Sequence, residues 1–299
     1  MAQAQATPKS RRLALHVAAA LAGPRAARAL PLQPSEASAL DLRPVRQTRR
    51  PARAVVFLIP LVAPDQVGDW TAVTERLAAT LHSLVAQSDP RWQVVICCQV
   101  RPPLPDDPRI THLAFDDTTP GNDKWRKLGA LTAALAATDD PVFAMSFDAD
   151  DLLHRDAVAT MLARPDADGH LVEQGLVMDH ATGKLAVARA QSLFAPLQKA
   201  FWKLCGSCAA IRVDPQVPES TAFLSAMVAH EHRMFPYLAA LAGLRLQPFA
   251  RPMVLYVLNH GENFGARRGR VRFKTRFVNR FAMPKDQVPA ALEGFDPPI

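Results

Sequence analysis

Residues 147–151 read Phe-Asp-Ala-Asp-Asp, so three carboxylates follow directly on the apolar run Val142–Phe147. Ionised together without a counter-charge, they raise one another's pKa. A divalent cation removes that conflict. Hard oxygen donors of this kind suit Mn²⁺ or Mg²⁺, and Mg²⁺ is often held by one or two carboxylates plus substrate phosphates. Residues two apart in an extended chain point alike, which makes Asp148 and Asp150 the candidate metal pair. Asp151 is left to orient them or to cap the next helix.

A cationic candidate lies upstream. On a helix expected over Asp123–Ala137, Leu128, Leu131 and Leu135 form the apolar stripe. At about 100° per residue Lys124 falls on the inward side, Arg126 outward and Lys127 at the flank. An inward ammonium at a helix N-terminus, where free N–H groups also gather, suits a phosphate. A lysine with a buried stem and a solvated head gives the same pattern. Lys124 and Lys127 are both carried as substrate-binding candidates. The Cys-x-x-Cys of Cys205 and Cys208 stands without further zinc ligands, and Cys97 and Cys98 point to opposite faces of their strand. All four read as small buried thiols.

Such residues need a scaffold. Ala54–Pro60 is a short continuous apolar run, as in strands buried on both faces of a parallel sheet. Trp70–Val85 carries Val73, Leu77, Leu81, Leu84 and Val85 at helical spacing. Further strands over Trp92–Val100, Ile110–Phe115 and Val142–Phe147 alternate with helices. The alternation predicts an α/β fold: a mainly parallel, Rossmann-like sheet flanked by helices, with chemistry beyond the carboxyl ends of the strands. Downstream the signal gives a helix over His154–Ala163, strands over Leu171–Met178 and Ala209–Val213, and a turn over Asp179–Lys184. It then gives a helix over Ala229–Leu241 and a strand over Arg251–Leu258.

Taken in order, these motifs resemble the inverting family 2 glycosyltransferases of the GT-A fold. The resemblance runs over about 54–265 and rests on the opening strand ending at Pro60, on Leu81-His82-Ser83-Leu84-Val85-Ala86-Gln87, on Trp92-Gln93-Val94-Val95-Ile96, and on the Asp148-Ala149-Asp150 segment, which is similar to the family's DxD. It implies a GT-A type sheet with a smaller acceptor-side subregion, and a metal on Asp148 and Asp150 that bridges a nucleoside diphosphate-sugar. It places Glu231 where the family carries its catalytic base, although the usual following Asp is His232 here. Gly206 and Ser207 correspond to a small-residue stretch that lets donor or acceptor approach closely. His260 corresponds to a histidine that helps hold the metal. The implied activity is metal-dependent transfer of a sugar to a glycan, lipid-linked or protein acceptor. The second strand ends in Cys97-Cys98-Gln99 without an acid, which leaves the nucleobase open. From a different class, a catalytically silent sugar- or nucleotide-binding module on a membrane surface is the alternative.

Composition bounds these readings. The chain has 299 residues, 49% hydrophobic and 21% charged, which excludes wholesale disorder. No run of about 18 apolar residues is present, so no spanning helix is expected. The formal charge of +7 is unevenly spread. Residues 1–53 carry ten Lys/Arg against two acids, 267–280 carry seven with no acid, and 54–266 are net acidic. Three parts follow: a Pro/Arg-rich extension over 1–53, a catalytic domain over 54–265 and a basic, aromatic tail over 266–299. The extension reads as mobile. The tail spaces Phe273, Phe277 and Phe281 by four, a helical apolar stripe with basic flanks. It suits docking on the protein's own acidic body or peripheral contact with an anionic membrane. No nucleic-acid motif accompanies the charge. Free thiols favour a reducing compartment, so the expected location is the cytoplasm, with the inner membrane face as a peripheral site.

Overall fold

The computed structural model describes residues 2–261 and 271–295. The expected mainly parallel α/β sheet flanked by helices is present. Its centre is β1 (Ala54–Pro60), buried along its interior because β2 (Trp92–Cys98) and β4 (Val142–Ser146) pair with it in parallel on either side. β3 (Ile110–Ala114) extends the sheet beyond β2, also in parallel. On the other side β9 (Ala209–Val213) runs antiparallel to both β4 and β6 (Gly169–Leu171), and β10 (Gln247–Pro248) closes that edge. The order is β10-β6-β9-β4-β1-β2-β3. Phe57, Phe143 and Phe147 are fully buried here, and each such side chain contributes about 1.5–3 kcal/mol of burial free energy.

A second sheet has the order β5-β11-β7-β8, from β5 (Asp151–Leu153), β7 (Gly175–Asp179), β8 (Lys184–Ala188) and β11 (Val254–Leu258). The single strand expected over Leu171–Met178 is therefore two strands in two sheets. The chain switches sheets between them, and at Gly175 a side chain would collide with the buried Phe201 ring.

The helices α4 (Trp70–Val85) and α5 (Lys124–Ala136) match their sequence patterns closely. α6 (Ala157–Leu162) is shorter than expected. The expected helix over Ala229–Leu241 is broken. α7 (Pro218–Val228) ends before it, a 3₁₀ turn over His232–Met234 follows, and α8 (Phe235–Leu241) restarts with Pro236 in its first turn, where a missing N–H costs nothing.

The N-terminal residues are helical too: α1 (Lys9–Leu21), α2 (Gly23–Ala27) and α3 (Pro34–Val45). α3 opens with a capping box between Gln33 and Glu36 and packs on α7 and α8. Its Glu36 is buried, accepting from Thr7 Oγ1 at 2.6 Å and the Tyr237 hydroxyl at 3.0 Å. Part of the basic excess is spent inward. Arg49 is buried against Asp168 at 2.5 Å, and Arg50 meets Asp214 at 2.7 Å.

α9 (Val271–Phe281) and α10 (Val288–Ala291) belong to the tail. Phe277 and Val278 are buried and α9 packs on β8 and β7, while Phe273 stays half exposed. The apolar stripe of the tail is thus used against the protein's own second sheet. Arg267, Arg268, Arg270 and the 265/266 boundary lie outside the described residues. No helix among the described residues is long and apolar enough to cross a membrane.

Candidate active site

The acidic segment emerges from the carboxyl end of β4 and is clamped by α4. Thr80 Oγ1 donates to the carbonyls of Ala149 (3.0 Å) and Asp151 (2.9 Å), and Ser83 Oγ accepts from the Leu153 N–H at 3.1 Å. Gln87 donates to the His154 carbonyl at 3.0 Å and accepts from the Val158 N–H at 3.1 Å. This gives a physical role to Ser83 and Gln87 of the Leu81–Gln87 stretch. They hold the loop that carries the carboxylates.

The three acids have three different surroundings. Asp148 accepts from Lys124 Nζ at 2.6 Å. Burial works against charge on both partners, but their mutual attraction prevails, lowering the Asp148 pKa and raising that of Lys124. Asp150 meets His260 Nε2 at 2.8 Å. Asp151 is fully buried. Its Oδ2 accepts from Ser207 Oγ at 2.6 Å and Cys205 Sγ at 3.0 Å, while Oδ1 finds no hydrogen-bond partner among the described residues. Burial, then Asp150 and Asp148, push the Asp151 pKa well up.

Asp148 and Asp150 thus engage different partners rather than one, and Asp151 forms the floor beneath them. Ser207 joins the two levels, since its Oγ also accepts from the Asp148 N–H at 2.8 Å. Gly206 lies against Asp148: a Cβ placed there would sit 2.9 Å from Oδ2. Asp148, Asp151 and Cys205 also offer ligand atoms within 4.8 Å of one another. Burial and the neighbouring carboxyls push the Cys205 thiol well above its usual pKa, in keeping with its donation to Asp151.

His260 is brought in by backbone geometry. Asn259 adopts a left-handed conformation (φ 62°), which an Asn tolerates better than most residues. Its side chain donates to Asp179 at 2.7 Å and to Thr275 of α9 at 3.0 Å. Arg76 of α4 donates to the His260 carbonyl.

Lys127 is placed differently from its expected role toward substrate. It is fully buried, donating to the Leu61 carbonyl at 2.6 Å and pairing with Asp123 at 2.7 Å. It ties α5 to the end of β1. The wheel angle put it at the flank, but Asp123 and an unpaired strand-end carbonyl draw it under the helix. Asp123 also accepts from Gln99 at 2.8 Å, which joins the helix N-terminus to the end of β2.

Glu231 is the residue before the 3₁₀ turn, not the first turn of a helix. The following His232 is electrostatically close to Asp148 and Lys124, and burial, then Lys274, lower its pKa to about 4. It is therefore a neutral imidazole near neutral pH. Its neighbour His230 instead bonds Ser35 of α3 at 2.7 Å.

The sequence pattern passes over one cation of the site. Lys274, from α9, donates to the Tyr256 hydroxyl at 2.7 Å and lies 4.5 Å from that ring. Tyr256 is opposite Asp151 in the β11–β5 register. Lys274 shares its field with Cys205, Asp148, Asp151 and Asp150, although burial still leaves its pKa lowered. Its only sequence signal is its place on the inward side of the Phe stripe.

No protein-family model matches the chain, and no curated protein matches it. Among solved structures, the glycosyltransferase GlyE of Streptococcus pneumoniae TIGR4 is similar, at 15% identity and a TM-score of 0.32. The match covers 80% of this chain and 53% of that one, so the chain spans about half the length of the protein it matches.

Proposed function

We propose that this chain is a nucleotide-sugar-dependent glycosyltransferase of GT-A type that works with inversion. The observation that carries the reading is the pairing of Lys124 with Asp148 at 2.6 Å, beside Asp150 and His260 at 2.8 Å, at the carboxyl end of a central parallel strand. An α/β sheet of this kind collects ligands there.

Asp150 and His260 converge as a carboxylate oxygen and an imidazole nitrogen, a donor set that fits Mn²⁺ better than the oxygen-preferring Mg²⁺, with Asp148 alongside. A divalent ion held there would stabilise negative charge on a donor diphosphate. Lys124 and Lys274 bring two ammonium groups to the same pocket, and each can donate to phosphate oxygens as charge grows on the leaving group. Gly206 and Ser207 let substrate approach Asp148 closely and keep that carboxylate fixed through its N–H. Glu231 takes the proton of the acceptor hydroxyl. His232, neutral beside it, offers a hydrogen bond without adding charge.

The test is a panel of nucleoside diphosphate-sugars incubated with the full chain, with and without Mn²⁺, with release of nucleoside diphosphate as the readout. Turnover of one donor that falls at least about 100-fold in Asp150→Ala and in Glu231→Gln is expected. Full activity in Asp150→Ala sinks the role of that carboxylate, and binding of every donor without turnover supports a silent module instead.

A further inference from the structure

β8 and the 3₁₀ turn Phe201–Lys203 are joined by a connection whose centre projects into solvent. Ser192 and Ala195 close a tight turn, with the Ala195 N–H donating to the Ser192 carbonyl and to its Oγ, both at 3.1 Å. Gln191 Nε2 braces it by donating to the Pro196 carbonyl at 2.7 Å. At the tip stand Leu193, 95% exposed, and Phe194, 99% exposed, with Leu197 half exposed behind them. Two large apolar side chains held out by an ordered turn run against the usual economy of a surface. The ends of the connection are anchored, since Ala188 on one side and Gln198, Ala200 and Phe201 on the other are buried.

The charge around this tip selects its occupant. From Arg189 to Lys203 the segment carries Arg189, Lys199 and Lys203 and no carboxylate. Trp202 is partly exposed, with the Lys203 ammonium 5.0 Å from its ring. Aliphatic and aromatic groups at a tip, cations behind them and a tryptophan at the border match the layered polarity of a lipid interface.

We propose that the Ser192–Ala195 turn inserts Leu193 and Phe194 into an anionic lipid surface, with Arg189, Lys199 and Lys203 against the headgroups. The same connection runs on into Cys205, Gly206 and Ser207. The inference stands on the exposed turn and its charge and does not require the glycosyl-transfer reading.

The test uses the full chain and sedimentation with phosphatidylcholine vesicles, with or without phosphatidylglycerol. The wild type is expected to bind the phosphatidylglycerol-containing vesicles and to weaken as salt is raised. Leu193→Ser/Phe194→Ser is expected to lower the partition coefficient roughly tenfold or more, with an unchanged melting temperature because neither side chain is packed. A second apolar row, Leu13, Val17 and Leu21 on α1, is also exposed. The control Leu13→Ser/Leu21→Ser is expected to bind like wild type. Failure of the wild type to bind, undiminished binding by the loop variant, or loss of binding only in the α1 variant each overturns the assignment. So does a wild-type dimer in sedimentation velocity that the loop variant converts to monomer, with no vesicle binding.

Discussion

His170 lies in β6 with 3% of its surface exposed, edge-on to Phe143 at 4.9 Å and stacked on Phe249 at 5.4 Å. Its Nε2 is buried with no hydrogen-bond partner among the described residues. Burial lowers its pKa from 6.5 to about 4, against the opposing Met161 backbone contact. The unfolded chain therefore binds a proton more readily than the folded one between these values. Stability is fully present above the unfolded pKa and is lost as the pH falls through that window toward the folded value. Applied between about pH 7 and about pH 4.5, the two pKa values give a loss of about 2 kcal/mol from this residue alone. That is a large share of a stability of about 5–15 kcal/mol. In His170→Leu, a substitution of similar volume, the group is gone from both states. Urea denaturation at the two pH values should show the variant losing about 2 kcal/mol less than wild type on acidification. Comparing the two differences cancels the variant's own packing change and the other acid-sensitive groups. Equal losses in both proteins would refute the claim that His170 is held neutral in the core.

Gly206→Ala places a Cβ 2.9 Å from Asp148 Oδ2, a side-chain atom that can rotate away. The expected outcome is a melting temperature near that of wild type with at least about a tenfold loss of nucleoside diphosphate affinity by calorimetry. Lys127→Met leaves the buried Asp123 carboxylate without its counter-charge and should cost about 3–5 kcal/mol in urea denaturation, with an unchanged midpoint counting against the pair. Lys274→Met should weaken nucleoside diphosphate binding about tenfold without lowering the melting temperature, and equal affinity would remove Lys274 from the pocket. Asn259→Ala loses two side-chain hydrogen bonds and strains a left-handed backbone, for a cost of about 2–3 kcal/mol and a weaker Mn²⁺ response in binding.

The fold was most legible where burial is two-sided or the periodicity is long. Ala54–Pro60 and Trp70–Val85 fall on their observed bounds because a parallel strand must be apolar throughout and a long amphipathic helix repeats its stripe several times. Short elements were harder. The Leu171–Met178 run reads as one strand, since nothing local announces that Phe201 occupies the space beside Gly175 and sends the chain into a second sheet. The N-terminal helices were hidden by Pro and Arg, yet Pro34 starts α3 and Arg49 is buried against Asp168 from far along the chain. At the site, Asp148, Asp150, Lys124, Gly206, Ser207 and His260 do come to one end of the sheet region. Lys274 and Tyr256 are not marked locally as site residues, because their relevance depends on α9 folding back over β8 and β7, a long-range event. Lys127 shows the converse limit, as helical angle alone cannot reveal a strand-end carbonyl waiting beneath.

The arrangement of the three aspartates explains how so much like charge is tolerated. Held side by side with no partner, they would each raise the others' pKa. The fold gives each its own partners: Asp148 against Lys124, Asp150 against His260, and Asp151, whose pKa the other two still push up, beneath both and hydrogen-bonded by Ser207 and Cys205. A consequence follows for ligand binding. Lys124 is already committed to Asp148 at 2.6 Å, so an arriving phosphate does not find a bare ammonium but must share one. Sharing is possible because an ammonium has three donors on a flexible stem. Asp148 then acts as the group that positions Lys124, and replacing it by Asn keeps the shape while weakening that hold. Asp148→Asn should therefore leave Lys124 more mobile and lower nucleoside diphosphate affinity, even though a negative charge has been removed from beside an anionic ligand. Simple charge counting demands the opposite, tighter binding, so calorimetry on this one variant without divalent metal separates a positioning role for Asp148 from plain repulsion.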